Sequence, residues 1–470
     1  MSNIVDDLKP EQRARLFPVL SETSKEGRTT SVFLSCLENV SEYGSALLAS
    51  LGQRVGARAR IECYTEVRFE TPKGDPDLRP DGLIVLNVGS RRWTALVEAK
   101  VGTNELTNKQ MESYLALAQA NKIDAVISIS NQFSATPNLH PLQIKQRASS
   151  KVALFHWSWM YVLTEADLLL TNQEVLDADQ RYLLAELVRF LTHQSAGVKG
   201  FDAMPKAWGE MCGAVRAGAP ISANSPDAQE VLGAWHQEVR DLSLILSRQV
   251  GVEVTNKLPR ALIGDATARM KADLSALADT KCLTATLSVP DAAAPVEVCV
   301  DIAQRTVTSA AKIKAPADKQ STKARLNWAL RQIQKTPDAE IYVRLHWPGR
   351  GPHTQHSLAE LRNDVSIADV GREKAQVSTI EICLVRDLGG RFAQSKNFIK
   401  ELEKAVPEFY DAVLQHLKTW QPPAPKMRAG RHEASDVTPA AIGEDVNERR
   451  EHENHGPEPS FKPENPTQET

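Results

Sequence analysis

The chain has 470 residues, of which 42% are hydrophobic, 24% charged and 6% aromatic, and its formal net charge is −3. This composition excludes collagen-like, wholly disordered and disulfide-scaffold proteins, and the length allows two or three domains with substantial cores. No apolar stretch reaches the roughly 20 residues that span a bilayer, and the polar N-terminus is not typical of a secretory signal. The six cysteines are widely spaced and form no C-x-x-C pair, which favours reduced thiols over zinc ligands. We therefore expect a cytoplasmic protein with no membrane attachment.

Two shifts in composition predict the domain boundaries. Residues 214–229 are rich in Ala, Gly, Pro, Ser and Asn, which is typical of a linker between a domain at residues 1–213 and a second at residues 230–420. Residues 421–470 open with a proline-rich run and show almost no apolar periodicity, so we expect a disordered tail. Six basic and ten acidic residues follow Pro425, so the chain before Lys426 carries a net charge of +1. The acidity of the whole chain therefore does not exclude a nucleic-acid partner.

The first predicted domain alternates helices with strands. Apolar residues between Phe33 and Leu51 recur at helical spacing, whereas residues 82–88 and 93–101 are nearly continuous apolar runs, as in strands covered on both faces. We predict an α/β domain with a mixed central sheet flanked by helices. In chain order, the other predicted elements are a strand at 60–70, a helix at 107–122, strands at 125–130 and 151–156, and a helix at 181–191.

The second predicted domain is α+β. Its alternating apolar segments predict strands, and two longer segments have the apolar spacing of helices. The strands are predicted at residues 282–289, 296–302, 340–346 and 379–385, and the helices at residues 318–335 and 395–420.

Charged residues mark the ends of two predicted strands. Pro80 and Asp81 open one of them, and Glu98, Ala99 and Lys100 close the next. Side chains two residues apart in a strand share a face, so Glu98 and Lys100 point the same way. If the two strands are neighbours, Asp81 and Glu98 meet at one edge of the sheet and form the hard oxygen site that Mg²⁺ prefers. The carbonyl of Ala99 would add a further ligand.

Three more residues extend this candidate metal site. Lys100 beside a bound metal could orient an attacking water and stabilise developing negative charge. Gln110 and Tyr114 are four residues apart on the predicted helix at 107–122, so their polar tips share one face. Buried charges at the end of an apolar strand cost desolvation energy, and a binding site is one reason to retain them.

An additional carboxylate is expected from the first helix. Glu26 falls at the centre of the apolar stripe, at the helix N-terminus, whereas Glu38 lies off the stripe and is the alternative. Asp77 also follows a proline, but no apolar strand comes directly after it, so we interpret it as a loop residue. Isolated histidines are more often structural than functional, which makes His140 and His156 weaker candidates.

Residues 26–132 resemble the PD-(D/E)xK nuclease superfamily, which has the fold of restriction endonucleases. The similarity rests on Pro80, Asp81, Glu98, Ala99 and Lys100, and on Gln110 and Tyr114, which resemble the Q-x-x-x-Y motif of its RecB-like branch. The resemblance implies an Mg²⁺-dependent nuclease that hydrolyses DNA phosphodiesters, as an endonuclease or an exonuclease, with Mn²⁺ as an alternative ion. It assigns Asp81, Glu98, Ala99 and Glu26 to the metal and Lys100 to the attacking water, with Gln110 and Tyr114 in support.

The resemblance leaves the biological role and some alternatives open. It suggests defence against foreign DNA or DNA repair, with partner proteins of a defence system. The long helix predicted at residues 395–420 could serve homodimerisation. The alternatives are an RNA-directed nuclease and a non-catalytic nucleic-acid-binding or regulatory protein on the same fold.

Basic residues are concentrated at residues 312–335, where Asp318 is the one acid. A surface that follows DNA phosphates and an ordinary solvated helix face fit this pattern equally well. The candidate DNA-binding residues are Lys319, Lys323, Arg325, Arg331 and Lys335.

Overall fold

The computed structural model describes residues 12–18, 24–56, 58–69, 78–144, 151–349, 351–372 and 375–422. The chain divides into two units, residues 1–420 and residues 421–470. Both predicted globular domains lie within the first unit, which is mixed α/β, so the predicted α/β class is confirmed. Apart from Gln421 and Pro422, the predicted disordered tail lies outside the described residues.

The N-terminal part of the first unit is built around a five-stranded mixed sheet. Its strands lie in chain order, with β1 to β3 antiparallel and β3 to β5 parallel. The elements are helices α1 (Lys25–Asn39) and α2 (Ser41–Ser50), strands β1 (Ala59–Thr65), β2 (Gly82–Val88) and β3 (Arg91–Ala99), helix α3 (Asn108–Ala120), and strands β4 (Ala125–Ser130) and β5 (Ala153–Ser158).

Helices cover both faces of this sheet, which explains the nearly unbroken apolar character of β2 and β3. Along β3, Ala95 and Val97 pack in one core cluster with Phe33 of α1. Leu96, on the opposite face, packs in another with Met111 of α3. Because side chains alternate along a strand, Glu98 belongs to the face that α3 covers.

Two predicted elements of the first domain differ from those observed. The apolar stripe predicted as one helix forms α1 and α2, which are separated by the extended residue Val40. The predicted strand at residues 60–70 ends at Thr65, because Glu66 has a positive φ of 62° that no strand residue adopts.

Gly44 allows α2 to pack closely against α1 and β1. A Cβ atom there would overlap the Leu37 carbonyl oxygen and lie 2.6 Å from Ile61 Cδ1. Gly44→Ala is therefore expected to lower the free energy of unfolding by about 1–3 kcal/mol, even though alanine favours helices. Gly213→Ala is the control, because open space surrounds that glycine. Urea unfolding of both variants checks this, and an equal stability gain in the two would contradict it.

Four helices follow the first sheet. The third and fourth of these helices pack in the core of a second sheet, described below. That core also includes Val215, Ile221 and Ala228 from the predicted linker. The linker residues thus form the end of one helix, a short connection and the start of the next. The helices are α4 (Trp159–Thr171), α5 (Ala178–Thr192), α6 (Lys206–Arg216) and α7 (Pro226–Val250). Helix α4 contacts α7, where Arg248 donates a hydrogen bond to Thr164 (2.6 Å).

The second sheet has seven strands in the order β11-β10-β12-β9-β8-β7-β6, and every neighbouring pair is antiparallel. Buried side chains of α7 and α11 join its core. The strands are β6 (Thr255–Asn256), β7 (Cys282–Ser288), β8 (Val296–Asp301), β9 (Thr306–Lys314), β10 (Ile341–His346), β11 (Thr354–Ser357) and β12 (Thr379–Asp387). The helices are α8 (Ala266–Thr280), α9 (Thr322–Gln332), α10 (Leu358–Asn363) and α11 (Ser395–Ala412).

The helix predicted at residues 395–420 ends at Ala412, and the helix predicted at residues 318–335 is also shorter in the structure. The latter helix corresponds to α9, and the basic segment before it includes Lys312 and Lys314, which lie on β9. Strand β9 escapes a search for apolar runs because it is built largely from Thr, Ser, Ala and Lys. Within the part of the chain that the structure describes, no helix combines the length and apolar character needed to cross a membrane.

Candidate active site

Strands β2 and β3 bring the two predicted acids together. The strands are antiparallel with Gly82 opposite Val97, which places Asp81 opposite Glu98. The backbone N–H of Ala99 donates a hydrogen bond to Asp81 Oδ2 (2.8 Å). Glu98 is only 2% exposed. The strand register therefore creates a pair of carboxyl groups at one end of the sheet.

Lys100 lies at the centre of this group. Its ammonium group donates to Glu98 Oε1 (2.6 Å) and Glu26 Oε1 (2.8 Å), and it lies 3.2 Å from the Ala99 carbonyl oxygen. Glu26, at the start of α1, therefore joins the site, as expected. The ammonium group provides the positive charge around which these carboxylates converge.

Helix α3 completes the site from the face that carries Glu98. Thr107 caps the helix by accepting a hydrogen bond from the Gln110 backbone N–H (3.3 Å), which fixes the first turn. Gln110 Nε2 donates to Glu98 Oε1 (2.5 Å), and the Tyr114 hydroxyl donates to the Arg79 carbonyl oxygen (3.1 Å). Gln110 therefore positions Glu98, and Tyr114 positions the backbone segment that precedes Asp81.

Burial disfavours the ionised forms of the Asp81 and Glu98 carboxyl groups. Desolvation raises the pKa of Asp81, and the neighbouring Glu98 charge raises it further. The pKa of Glu98 is also raised by burial, although Lys100 opposes the shift. Burial by itself lowers the pKa of Lys100, but Glu98, Glu26 and Asp81 outweigh that effect and raise it above the ordinary value. The site thus has more carboxyl groups than one ammonium group can neutralise.

The donor set suits one hard cation rather than a preformed metal cage. Glu98 Oε2 is buried and has no hydrogen-bond partner among the described residues. Asp81 supplies a second carboxyl group beside it, and few protein ligands plus several waters are what Mg²⁺ prefers. Among the described residues, no group of three or more His, Cys, Asp or Glu side chains is arranged to hold a metal. A cation bound here would have to share the carboxylates with Lys100 or displace its ammonium group.

Of the two alternative acids, Glu38 does not enter the site. Glu38 forms an ion pair with Arg13 and accepts a hydrogen bond from the Cys63 backbone N–H (2.8 Å), so it ties the N-terminal segment to β1. Asp77 lies outside the described residues.

Two supporting residues were not predicted from the sequence. Trp159 Nε1 donates to the Lys100 carbonyl oxygen (2.8 Å), which fixes the backbone that carries the ammonium group. Asn104 Nδ2 donates to Glu26 Oε2 (3.3 Å) and holds that carboxylate towards Lys100. Trp159 is separated from the E-x-K segment by two strands and a helix, so no local spacing indicated its role.

The basic residues of the second predicted domain do not form one helical stripe. The guanidinium group of Arg325 links two backbone segments, because it donates to the carbonyl oxygens of Lys319 (2.9 Å) and Val377 (2.6 Å). Lys323 and Arg331 are exposed on α9, and Lys335 is exposed beyond its end. Lys319 precedes α9 and lies near Asp318 (3.9 Å). DNA binding by Lys319, Lys323, Arg325, Arg331 and Lys335 stays a prediction.

His140 and His156 form a closed chain of hydrogen bonds with Ser128. Leu142 N–H donates to His140 Nδ1 (3.1 Å), so the hydrogen of His140 is on Nε2, which donates to Ser128 Oγ (2.8 Å). Ser128 then donates to His156 Nδ1 (2.8 Å), whose Nε2–H reaches the Gln132 carbonyl oxygen (2.9 Å). Every polar atom is satisfied, which indicates that the cluster anchors the loop after β4.

Because of these two histidines, we predict that the protein loses stability in mild acid. Burial lowers the pKa of His156 to about 3 and that of His140 to about 4. Because both folded-state pKa values lie below the unfolded value, unfolding takes up protons, so their contribution is complete above pH 6.5 and is lost as the pH falls. For each histidine, the free energy of unfolding should fall by about 1 kcal/mol between pH 7.5 and pH 5.5.

Urea unfolding of His140→Gln at these two pH values checks the prediction. The glutamine amide can still donate to Ser128 but does not titrate, so the variant should lose less stability on acidification than the wild type. His416→Gln, at an exposed position, is the control and should behave as the wild type. An unchanged acid sensitivity in His140→Gln would contradict the account.

Comparison of the chain with protein-family models, with curated proteins and with solved structures finds no match in any of the three.

Proposed function

We propose that the protein is a metal-dependent nuclease that hydrolyses DNA phosphodiester bonds at the site formed by Asp81, Glu98 and Lys100. The observation that carries the proposal is the convergence of Lys100 with Glu98 (2.6 Å) and Glu26 (2.8 Å), directly beside Asp81. An ion pair built only for stability would not need three carboxyl groups around one ammonium group, with Glu98 buried and Asp81 and Glu26 half-buried, because each uncompensated charge costs desolvation energy.

The order of the elements supports the same proposal. Helix α1, the antiparallel strands β1 to β3, helix α3 and the parallel strand β4 follow the core order of the PD-(D/E)xK superfamily. The proposed fold of this part is therefore restriction-endonuclease-like. The acids lie where that fold would need them, at the start of β2 and near the end of β3.

In this mechanism, the protein residues bind, orient and neutralise. Mg²⁺ held by Asp81 and Glu98 would supply Lewis-acid activation of water and of the phosphodiester. Lys100 stays protonated at neutral pH, since its carboxylate neighbours raise its pKa, so it donates hydrogen bonds rather than accepting a proton. It orients the attacking water and offsets the negative charge that develops on the phosphate. Gln110 keeps Glu98 in place through its hydrogen bond to Oε1.

The proposal is tested with the purified full chain. Circular plasmid DNA, labelled duplex DNA and labelled single-stranded RNA are incubated with Mg²⁺, with Mn²⁺ and with EDTA. We expect cleavage of DNA that requires the metal and leaves 5′-phosphate ends. Metal-dependent cleavage of the RNA alone would favour the RNA-directed alternative. Binding of nucleic acid without cleavage under any of these conditions would favour the non-catalytic alternative.

A further inference from the structure

A cleft of about 460 Å³ opens beside the candidate active site. Asp81 and Pro80 line one side of it, and the N-terminal segment from Arg13 to Pro18 lines another. Its volume lies in the range of pockets that hold one small ligand. Because Asp81 belongs both to the cleft and to the acidic site, a ligand in the cleft would lie next to the reacting phosphate.

Three arginines line the cleft, and they differ in what they already bind. Arg13 is paired with Glu38 and with Glu62 (2.6 Å), and Arg79 is paired with Glu66. Arg15 is exposed and has no ion pair within the described part of the chain. An unpaired guanidinium group at this position is suited to a phosphate.

The backbone of Arg15 is nevertheless held in place. Its N–H donates to Ser31 Oγ (2.9 Å), and its carbonyl oxygen accepts from the same hydroxyl (2.9 Å). Ser31 is a buried residue of α1, the helix that supplies Glu26 to the active site. The guanidinium group is therefore free while its attachment point is fixed relative to the acids.

Phe17 adds an aromatic surface to the same cleft. Its side chain is 86% exposed, more than any other large hydrophobic side chain of the described residues. A single exposed apolar residue is ordinary on a protein surface. Phe17 is distinguished by its location, because it lines a cleft that also contains arginines and a candidate catalytic acid.

We infer that this cleft binds an unpaired nucleotide adjacent to the scissile phosphate, with the base stacked on Phe17 and a phosphate bound by Arg15. Aromatic stacking combined with a cationic groove is the usual way in which proteins hold single-stranded nucleic acid. The inference rests on the proposed nuclease function and specifies its substrate. The preferred DNA contains a single-stranded end, a flap or a displaced base at the cleavage position.

The test measures base stacking without cleavage. The full-length protein, in EDTA, is titrated with a DNA duplex whose single-stranded overhang carries 2-aminopurine, and with the corresponding blunt duplex. The wild type should quench the fluorescence and bind the overhang duplex more tightly. Phe17→Ala should lose the quenching and bind the overhang about tenfold more weakly, with little change for the blunt duplex.

Three further variants make the result specific. Phe17→Trp should retain the quenching, because it keeps an aromatic surface. Tyr182→Ala removes an exposed aromatic residue of α5 and should behave as the wild type. Arg15→Gln should weaken binding and reduce the dependence of log K on log salt by about 0.7, the value of one phosphate contact on a single strand.

Failure of this inference is distinguishable from failure of the proposed function. Equal quenching and equal overhang affinity in the wild type and Phe17→Ala would overturn the inference, even if the wild type cleaves DNA in Mg²⁺. Quenching that depends on Phe17, together with an absence of cleavage in Mg²⁺, would overturn the nuclease proposal and leave the nucleotide site in place.

Discussion

Lys100→Met is expected to reduce Mg²⁺-dependent DNA cleavage by about 10³-fold. Methionine keeps an unbranched apolar stem but removes the ammonium group that donates to Glu98 and Glu26. Loss of one positioned donor at a site of developing negative charge typically costs two to three orders of magnitude. Lys100 is the one cation in contact with these two acids among the described residues, so the loss should lie at the upper end. The initial rate of plasmid cleavage measures the effect.

The same substitution also removes the partner of the buried Glu98 carboxylate and of the half-buried Glu26 carboxylate, which requires a control for folding. Rates should be compared at a temperature well below the unfolding transition of the variant, with circular dichroism showing that it is folded. Lys206→Met, on α6, removes a side chain that is 93% exposed and should leave the rate unchanged. A folded Lys100→Met protein that cleaves at the wild-type rate would show that Lys100 takes no part in the reaction.

Mg²⁺ is expected to stabilise the folded protein strongly, and this effect should depend on Glu98. A cation that binds only the folded state adds about 2.7 kcal/mol to the free energy of unfolding at 100 times its dissociation constant. The Glu98 carboxylate supplies the ligand, because its Oε2 atom is buried and has no hydrogen-bond partner among the residues described. Thermal unfolding over a range of Mg²⁺ concentrations measures the gain.

The Glu98→Gln variant separates the effect of the buried negative charge on stability from its role in binding the metal. Without metal, this variant should be at least as stable as the wild type, since removal of a buried carboxylate relieves desolvation, although Lys100 loses one partner. Mg²⁺ should then stabilise it little. Glu112→Gln, an exposed position on the same helix as Gln110, is the control and should show the full Mg²⁺ effect. Equal stabilisation of Glu98→Gln and the wild type would place the metal elsewhere.

The sequence predicted those parts of the site that depend on regular secondary structure. Glu98 and Lys100 share a face because of the period of a strand, and Gln110 and Tyr114 share one because of the period of a helix. The contact of Asp81 with Ala99 depends on the pairing of β2 with β3, which the sequence pattern alone left open. The role of Glu26 could be predicted from the sequence because Glu26 continues the apolar stripe of α1.

Other features depend on contacts between distant segments, which local patterns do not encode. Trp159 reaches Lys100 across 59 positions, and Arg13 joins Glu38 and Glu62 through long-range ion pairs. Strand β9 lacks the large apolar residues that mark a strand in a sequence, and its pairing with β12 and β8 defines it instead. The position of Phe17 beside Asp81 also becomes visible only when the N-terminal segment is placed against α1 and β1.

We propose that phosphodiester hydrolysis takes place at the carboxyl pair formed by Asp81 and Glu98. The most direct measurement is the rate of Mg²⁺-dependent DNA cleavage by the wild type and by Asp81→Asn, purified in parallel. Asparagine retains an oxygen that can accept the hydrogen bond from Ala99 but loses the negative charge needed to hold a cation. We predict cleavage by the wild type and a loss of about 10³-fold or more in the variant. Cleavage at the same rate by both proteins would contradict the proposal.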